Sequence, residues 1–481
     1  MDGKFFFKLY ISILFVSTVW NVHAQTSDFE KFVAQAMLDR TVAGVSIARI
    51  ESGEIVEKFA LSHPNVDKLA LSENSVFQVG SISKPVAAWA VMTLVRDGKV
   101  ELDAPISRYL SRWNLPSSNF DPKQVTVERL LSHTAGLSLH GYPGFAENMA
   151  LPNIEASLSG DTNGAGSVEQ ILSPGVQFKY SGGGYTLLQL MVEEVSGMPF
   201  PQYAQQAIFE PLAMGSSSYE PSQALKALRA TPYVRTTPID YYQFRAQAAA
   251  SLHSTASDLA QFALANMQQE MVLDAPLIEK MHSPVMDIGS QKVGLGFFID
   301  PKASLIGHSG ANQGWRADLV FNPRLNNGLV VLTNSDNAGF FIQQVRCYWE
   351  EQFAEAALLE MCQKQIQSHK SQLQMLHWVI WGLIAVSIAL VTFRVISLTK
   401  GKTQIGLPNS KVRWTLIVLL ALIIIAATLL LNTSFGVYII AGITTSLSAM
   451  DYVPEGVPNV WFAIQVLLIF LLLFIFARKV Q

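Results

Sequence analysis

The chain has 481 residues, which exceeds the size at which one hydrophobic core usually stops growing, so more than one structural unit is expected. Half of the residues are hydrophobic, only 15% are charged and the mean hydropathy is +0.27, a composition that indicates membrane-embedded segments. A formal net charge of −3 and a pI near 6.3 offer no broad basic surface, which excludes nucleic acid as a partner.

The N-terminus reads as a secretory signal peptide over residues 1–24. Lys4 and Lys8 precede an apolar run at residues 9–19, and Val22-His23-Ala24 supplies a small-residue cleavage site. An uncleaved N-terminal anchor is the alternative. Both interpretations export the chain that follows.

Sheet-like and helical segments then follow in chain order. Residues 41–60 alternate as a β-hairpin with its bend at Ser52-Gly53, and residues 316–334 form a second hairpin around Asn327-Gly328. Between the two hairpins, helical patterns cover residues 85–96, 185–195 and 256–267. A further helical stretch follows the second hairpin over residues 340–374. Strands at both ends with helices between them predict an α+β fold.

Three uncharged apolar runs, at residues 376–393, 414–431 and 460–477, each have about the length that spans a bilayer. The segment between the first two runs carries five basic and no acidic residues, whereas the next segment carries only acidic ones, Asp451 and Glu455. By the positive-inside rule, three crossings place residues 25–375 on the extracytoplasmic side. This topology agrees with that predicted from the signal peptide.

The chain contains only two cysteines, Cys347 and Cys362, so no disulfide framework holds the exported domain. On one continuous helix they would lie about 22 Å apart at ~1.5 Å rise per residue, and a bridge would require a turn between them. The favoured interpretation is two separate packed thiols.

Ser81 and Lys84 form the first candidate catalytic pair. A helix that starts near Ser81 places the two side chains one turn apart on the same face. A serine hydroxyl needs a base to become a good nucleophile, and a helix N-terminus offers free N–H groups where an oxyanion would form. The same spacing also occurs at Ser397 and Lys400 beside a predicted span, and an N-cap role is the structural alternative for Ser81.

Two other clusters could line a cleft. Tyr180 lies in a turn before a helical pattern that ends at Gly197, and it could act as a general base if a lysine ammonium lowered its pKa. Gly307-His308-Ser309-Gly310-Ala311 precedes the late hairpin, where glycine lets a substrate approach the backbone. A packed tyrosine and a hydrogen-bonded structural histidine are the alternatives.

These motifs resemble those of the serine β-lactamase and penicillin-binding protein superfamily, and most of all its class C β-lactamase and DD-peptidase-related branch. They occur in the family's order, Ser81-Ile82-Ser83-Lys84, Tyr180-Ser181-Gly182 and then His308-Ser309-Gly310, within a resemblance that runs from about residue 41 to residue 334. Supporting stretches are LVRDGKVELDAPISRYL after the nucleophile helix, LLSHTAGL at residues 130–137 and LHSTASDLAQFA at residues 252–263.

The resemblance implies a serine hydrolase. Ser81 would be acylated, Lys84 would lie between Ser81 and Tyr180, and Tyr180 would relay the proton as general base and acid. His308 would help to position the base or the substrate, and the N–H groups of Ser81 and Ala311 would form the oxyanion hole, next to Gly310.

The resemblance also implies a domain architecture. An antiparallel sheet flanked by helices would join a helical subdomain, with the cleft between them. The resulting organisation is a signal peptide at 1–24, a hydrolase domain at 25–350, a juxtamembrane helix at 351–375 and a membrane domain of three transmembrane helices at 376–481.

Two positions depart from the family pattern. Gly182 stands where an asparagine amide usually contacts substrate, and His308 stands where many relatives have lysine. Both weaken the case for an efficient β-lactamase, since a fixed cation at the second position would bind the carboxylate of the drug.

The leading hypothesis is therefore a membrane-anchored serine hydrolase that acts on an amide or ester, such as a D-amino-acid peptide, a small ester or a β-lactam. The alternative is a receptor or scaffold that binds penicillin or cell-wall fragments with little turnover. The sequence contains no H-E-x-x-H, no paired Cys-x-x-Cys and no phosphate-binding loop, so we expect neither a metal nor another cofactor. The expected partners are a small-molecule or peptide substrate and the membrane.

Overall fold

The computed structural model describes residues 26–66, 70–268 and 272–353, together with a few isolated positions beyond residue 381. The predicted signal peptide lies outside the described residues, as does nearly all of the three predicted spans and the juxtamembrane helix. Among the described residues, no helix has both the length and the apolar character needed to cross a bilayer. The membrane topology thus stays a prediction.

An eight-stranded antiparallel sheet forms the centre of the described domain. Its spatial order is β2-β1-β14-β13-β12-β11-β10-β9, so strands from the two ends of the domain meet in its middle. The strands are β1 Gly44–Glu51, β2 Glu54–Ser62, β9 Met286–Ile288, β10 Gln291–Val293, β11 Phe298–Asp300, β12 Leu305–Asn312, β13 Trp315–Asn322 and β14 Asn327–Thr333.

Alternate residues of the central strands enter two separate cores. On β1, Val45 and Ile47 pack with α1 (Asp28–Asp39) and α11 (Gly339–Glu350) on one face of the sheet. Ala48 and Ile50 face the other core, which contains α9 (Ala256–Gln268) and the remaining helices. Because both faces are covered, nearly every residue of β13 and β14 is buried, and the sheet is the middle of three layers.

The predicted first hairpin is confirmed, with Ser52 and Gly53 at positive φ between β1 and β2. The second hairpin also forms, but its turn is not at Asn327-Gly328. Asn322 pairs with Asn327, so the turn precedes Asn327, and Asn326 adopts the positive φ. The predicted position of the bend is therefore wrong: the turn precedes Asn327, because asparagine adopts the left-handed conformation more readily than most residues with a side chain, and Asn326 does so here.

The helical subdomain lies beyond the face of the sheet that carries α9. The three predicted helices are confirmed as α2 Ser83–Arg96, α5 Gly182–Ser196 and α9, with Gly197 at φ +71° as the left-handed cap that ends α5. Shorter helices surround α2 and α5: α3 Val127–Leu131, α4 Ile154–Leu158, α6 Phe200–Ala204, α7 Gln223–Ala227, α8 Gln247–Ala250 and α10 Ala275–His282.

Several two-residue or three-residue strands complete the described structure. They pair outside the main sheet and are β3 Phe77–Gln78 with β8 His253–Ser254, β4 Phe145–Ala146 with β7 Tyr242–Gln243, β5 Tyr233–Val234 with β6 Thr237–Pro238, and β15 Thr403–Ile405 with β16 Ala477–Lys479. Ala477, the last residue of the third predicted span, thus lies in a strand.

The helical stretch predicted over residues 340–374 is shorter where it can be followed. Helix α11 ends at Glu350, and residues 351–353 form a turn. Residues 354–381 lie outside the described part of the chain. Cys347, which is buried on α11, is disulfide-bonded, so the prediction of two separate thiols was wrong.

Candidate active site

Ser81 lies in a single 3-10 turn, Gly80–Ile82, that leads directly into α2. Ile82 occupies the N-cap position of α2 and no side chain caps this helix, so the N-cap alternative for Ser81 is excluded. The neighbouring Ser83 fixes the turn instead: its hydroxyl donates to the carbonyl of Gly80 at 2.5 Å and accepts from the N–H of Leu252 at 2.9 Å.

Lys84 is the immediate partner of Ser81. Its Nζ lies 3.0 Å from Ser81 Oγ and donates to the carbonyl of Ala249 at 2.7 Å, at the end of α8. The side chain is only 2% exposed, and burial lowers the pKa of Lys84 to about 7. A large fraction of the amine is therefore uncharged at neutral pH and able to accept a proton.

Two glycines allow β12 to contact the Ser81 turn. A Cβ at Gly310 would lie 1.9 Å from the carbonyl oxygen of Val79 and 3.2 Å from the Ser81 nitrogen. A Cβ at Gly80, whose φ is +53°, would lie 2.6 Å from the Ala311 nitrogen. The backbone N–H groups of Ser81 and Ala311 thus lie on the two sides of this close contact, where the resemblance places the oxyanion hole.

Tyr180 lies opposite Lys84, at the end of the loop that precedes α5. Its hydroxyl lies near Ser81, and Lys84 Nζ lies 4.8 Å from the centre of its ring. Burial nevertheless raises the pKa of Tyr180 well above its usual value, so its hydroxyl is protonated at neutral pH. The sequence predicted that Tyr180 could act as a general base if a lysine ammonium lowered its pKa. The structure does not meet this condition, because the pKa of Tyr180 is raised.

His133 holds the Tyr180 loop in place. This buried residue lies within the LLSHTAGL stretch, and its ring packs 4.2 Å from that of Tyr180. Its Nδ1 accepts from the N–H of Ser181 at 3.1 Å, while its carbonyl accepts from the N–H of Lys179 at 2.8 Å. Burial, followed by the charge of Lys84, keeps the pKa of His133 well below its usual range, so the imidazole is a neutral acceptor.

Gly182 lets a second segment reach Tyr180. The N–H of Gly182 donates to the carbonyl of His140 at 3.0 Å, and a Cβ at position 182 would lie 3.0 Å from that oxygen and 3.3 Å from Tyr142 Cε2. This approach brings the His140 ring to 4.7 Å from the Tyr180 ring. Burial and the charges of Lys84 and Lys179 lower the pKa of His140 to about 4. The glycine thus admits a neutral imidazole to this wall of the cleft.

His308 lies on the third side of Tyr180, with ring centres 6.2 Å apart. Its Nδ1 lies 2.6 Å from the carbonyl of Ser309 and donates to it, which leaves Nε2 as the acceptor nitrogen. Nε2 is buried without a hydrogen-bond partner among the described residues. Burial, followed by the charge of Lys84, lowers the pKa of His308 to about 3, so this position supplies no fixed cation.

The structure therefore brings together all the residues that the sequence singled out, namely Ser81, Lys84, Tyr180, Gly182, His308, Gly310 and Ala311. Sequence reasoning missed His140 and Phe298, whose ring lies 4.9 Å from that of His308. Neither residue belongs to a motif, and only the tertiary packing around Tyr180 reveals them. The described residues contain no cluster of metal-ligating side chains.

A match to the Beta-lactamase family covers residues 29–344 of the chain. Protein flp of Staphylococcus aureus strain N315 is 22% identical over 315 residues, which is 63% of this chain and 62% of that protein. Esterase EstB of Burkholderia gladioli is 27% identical over 202 residues, which is 39% of this chain and 51% of the esterase. The chain thus spans less than two thirds of the length of these curated relatives.

Solved structures share the fold. The octameric penicillin-binding protein homologue from Pyrococcus abyssi aligns with a TM-score of 0.56 at 26% identity, covering 64% of this chain and 73% of that chain. A β-lactamase/D-alanine carboxypeptidase from Pseudomonas syringae aligns with a TM-score of 0.56 at 20% identity, over 68% of this chain and all of that one. These matches confirm the resemblance inferred from the motifs and the α+β fold that it implied.

Proposed function

The chain belongs to the Beta-lactamase family, and we propose that it is a serine hydrolase in which Ser81 forms an acyl-enzyme with an ester or amide substrate. The observation that carries the proposal is the contact of 3.0 Å between Lys84 Nζ and Ser81 Oγ, made by a lysine whose pKa burial lowers to about 7. A neutral amine at this distance is a competent base for the hydroxyl.

In the first half-reaction Lys84 takes the proton of Ser81 as Oγ attacks the substrate carbonyl. The N–H groups of Ser81 and Ala311 receive the developing negative charge, and the loss of one such donor typically costs about 3 kcal/mol. The protonated Lys84 returns the proton through the Tyr180 hydroxyl to the leaving alcohol or amine as the carbonyl re-forms. Water then attacks the acyl-enzyme, passes a proton back along the same route and releases the acid and free Ser81.

Within this reaction we favour esters and uncharged amides over β-lactams as substrates. The neutral His308 offers no cation for a drug carboxylate, and Gly182 offers no side-chain amide. The esterase among the curated relatives supports the same preference. A D-amino-acid peptide stays in the proposed amide class but is less favoured than a neutral ester, because its C-terminal carboxylate would meet the same neutral His308.

We further propose that the chain is a multi-pass membrane protein whose hydrolase domain lies on the extracytoplasmic side. The support comes from the signal-like segment at residues 1–24, the three apolar runs and the basic segment between the first two runs. The spans would act as an anchor. Their sequences contain one ionisable residue, His377 near the start of the first run, so no series of ionisable groups marks an ion or proton path through the bilayer.

The test uses the full chain in detergent. A fluorophosphonate probe and a fluorescent penicillin are applied to the wild type, to Ser81→Ala and to Ser397→Ala, the matched control at the look-alike Ser-x-x-Lys pattern. We expect labelling that Ser81→Ala abolishes and Ser397→Ala preserves, together with hydrolysis of members of a panel of nitrophenyl esters and D-Ala-D-Ala peptides. A wild type that neither takes up label nor hydrolyses any of these compounds would overturn the proposal. Stable labelling without turnover would favour the receptor alternative instead.

A further inference from the structure

A surface cavity of about 560 Å³ lies beside the candidate active site and plays no part in the mechanism above. One wall is the loop that delivers Tyr180, through Val176 and Phe178, and the other is the start of the β9 edge of the sheet, through Val285 and Met286. Its volume falls within the range of pockets that hold small molecules. The cavity is therefore large enough for a substantial part of a substrate.

The walls of this cavity expose apolar side chains to solvent. Val176 is 71% exposed, the highest value among the large hydrophobic residues described, and Val285 faces the same cavity at 38%. Asp287 and Lys292, which also line the cavity, pair with each other at 3.2 Å, so their charges offset each other. Val176 and Val285 thus give each wall an exposed apolar side chain against which an apolar group can leave water, beside the polar Gln177.

Aromatic contacts connect the cavity to the reacting groups. The Phe178 ring lies 6.2 Å from Phe298, which in turn lies 6.4 Å from Tyr180 and 4.9 Å from His308. Two ring contacts, from Phe178 to Phe298 and from Phe298 to Tyr180, therefore connect the cavity to the tyrosine that lies near Ser81. The path through Phe298 is bent, so these two ring distances set an upper limit on the direct distance. An extended chain gains roughly 1.2 Å per bond, so no more than about ten bonds are needed to cover it.

We propose that the cavity binds the distal end of an unbranched apolar chain of the substrate, so that the substrate class is esters or amides carrying chains of about eight or more carbons. This inference rests on the proposed hydrolase function. The chain runs from the carbonyl held at Ser81, past Tyr180 and Phe298, to Val176 and Val285. Removal of its methylene groups from water supplies the binding energy.

Two ester series measure the effect of the cavity. Nitrophenyl esters of acetate and octanoate vary the acyl group, and acetate esters of ethanol and octanol vary the alcohol group. In the full-length wild type we expect a higher kcat/KM for the eight-carbon member of at least one series. Val176→Asp and Val285→Asp place a carboxylate in either wall, and each should lower the ratio of long-chain to short-chain kcat/KM at least about tenfold.

Val56→Asp is the matched control, because Val56 is 48% exposed on β2, at the opposite edge of the same sheet. This variant should keep the wild-type ratio of long-chain to short-chain kcat/KM.

A binding experiment reports on the cavity without turnover. Calorimetry measures the affinity of N-octylacetamide for the Ser81→Ala protein, and the double variant that also carries Val176→Asp should bind this amide about tenfold more weakly. An unchanged ratio in both series, with unchanged binding, would overturn the proposed cavity while leaving the hydrolase intact. Selective binding without hydrolysis of any ester would support the cavity and refute the hydrolase.

Discussion

The two walls of the catalytic cleft are built by different means. Ser81 and Lys84 belong to one continuous turn and helix, so three residues of local geometry bring their side chains within 3.0 Å. Tyr180 lies on a loop that His133 and His140 hold from residues at least 40 positions earlier in the chain. The nucleophile wall is thus specified locally and the Tyr180 wall by tertiary packing. Changes to the reacting groups of either wall should reduce the rate of the chemical step, whereas changes to the packing around Tyr180 should act through its position.

Among the following variants, the largest effect is expected from Gly310→Ala, at the point where β12 packs against the nucleophile wall. The new methyl group would lie 1.9 Å from the Val79 carbonyl, so β12 must move away from the Ser81 turn and carry the Ala311 N–H with it. We expect kcat for ester hydrolysis to fall about 10³-fold and the free energy of unfolding to fall by about 2 kcal/mol. Gly215→Ala is the control, since no atom lies within 4 Å of its Cβ position. Near-normal turnover in Gly310→Ala would show that this contact does not position the oxyanion donors.

Tyr180→Phe tests the other wall while it keeps the ring packing against His133 and His140. Loss of the hydroxyl removes the polar group near Ser81 and, with it, the proposed route of the proton to the leaving group. We expect kcat to fall about 10²-fold with little change in the melting temperature, measured by ester hydrolysis and thermal denaturation. If turnover stays near normal, Tyr180 has no part in proton transfer.

The pH dependence of the reaction should report on Lys84. Burial lowers its pKa to about 7, and only the uncharged amine can accept the Ser81 proton, so activity must rise as pH increases through that value. Between pH 6 and pH 8 we expect kcat/KM for a neutral ester to rise about tenfold. The pKa values of His140, about 4, and His308, about 3, lie below this window. A flat profile over these two units of pH would contradict Lys84 as the base.

The smallest effect should come from Gly182→Asn, which introduces the side chain usual in relatives. Its Cβ would lie 3.0 Å from the His140 carbonyl, so the segment carrying His140 must retreat from Tyr180. We expect a loss of about 1 kcal/mol in the free energy of unfolding, measured in urea, and a KM changed by several-fold. Gly215→Asn serves as the control on an uncrowded glycine. Equal stabilities of both variants and the wild type would show that the close approach at Gly182 is not required.

The sequence by itself determined the nucleophile wall, the three long helices and the first hairpin. Each depends on contacts between residues a few positions apart, so the pattern of side chains along the chain suffices. The sequence also predicted that Tyr180, His308 and Gly310 lie in one cleft, but only because the order of their motifs resembles that of a known family. The membrane segments stay predictions of the same local kind, since they fall almost entirely outside the described residues.

Tertiary structure alone decided the environment of these groups. The buried state of Lys84, and with it a pKa near 7, depends on the Ala249 carbonyl and on packing by residues far along the chain. The raised pKa of Tyr180 and the place of His140 beside it likewise arise from long-range packing, because desolvation is a property of everything that surrounds a group. Even the turn of the late hairpin was decided by the pairing of Asn322 with Asn327 rather than by the favourable Asn327-Gly328 dipeptide.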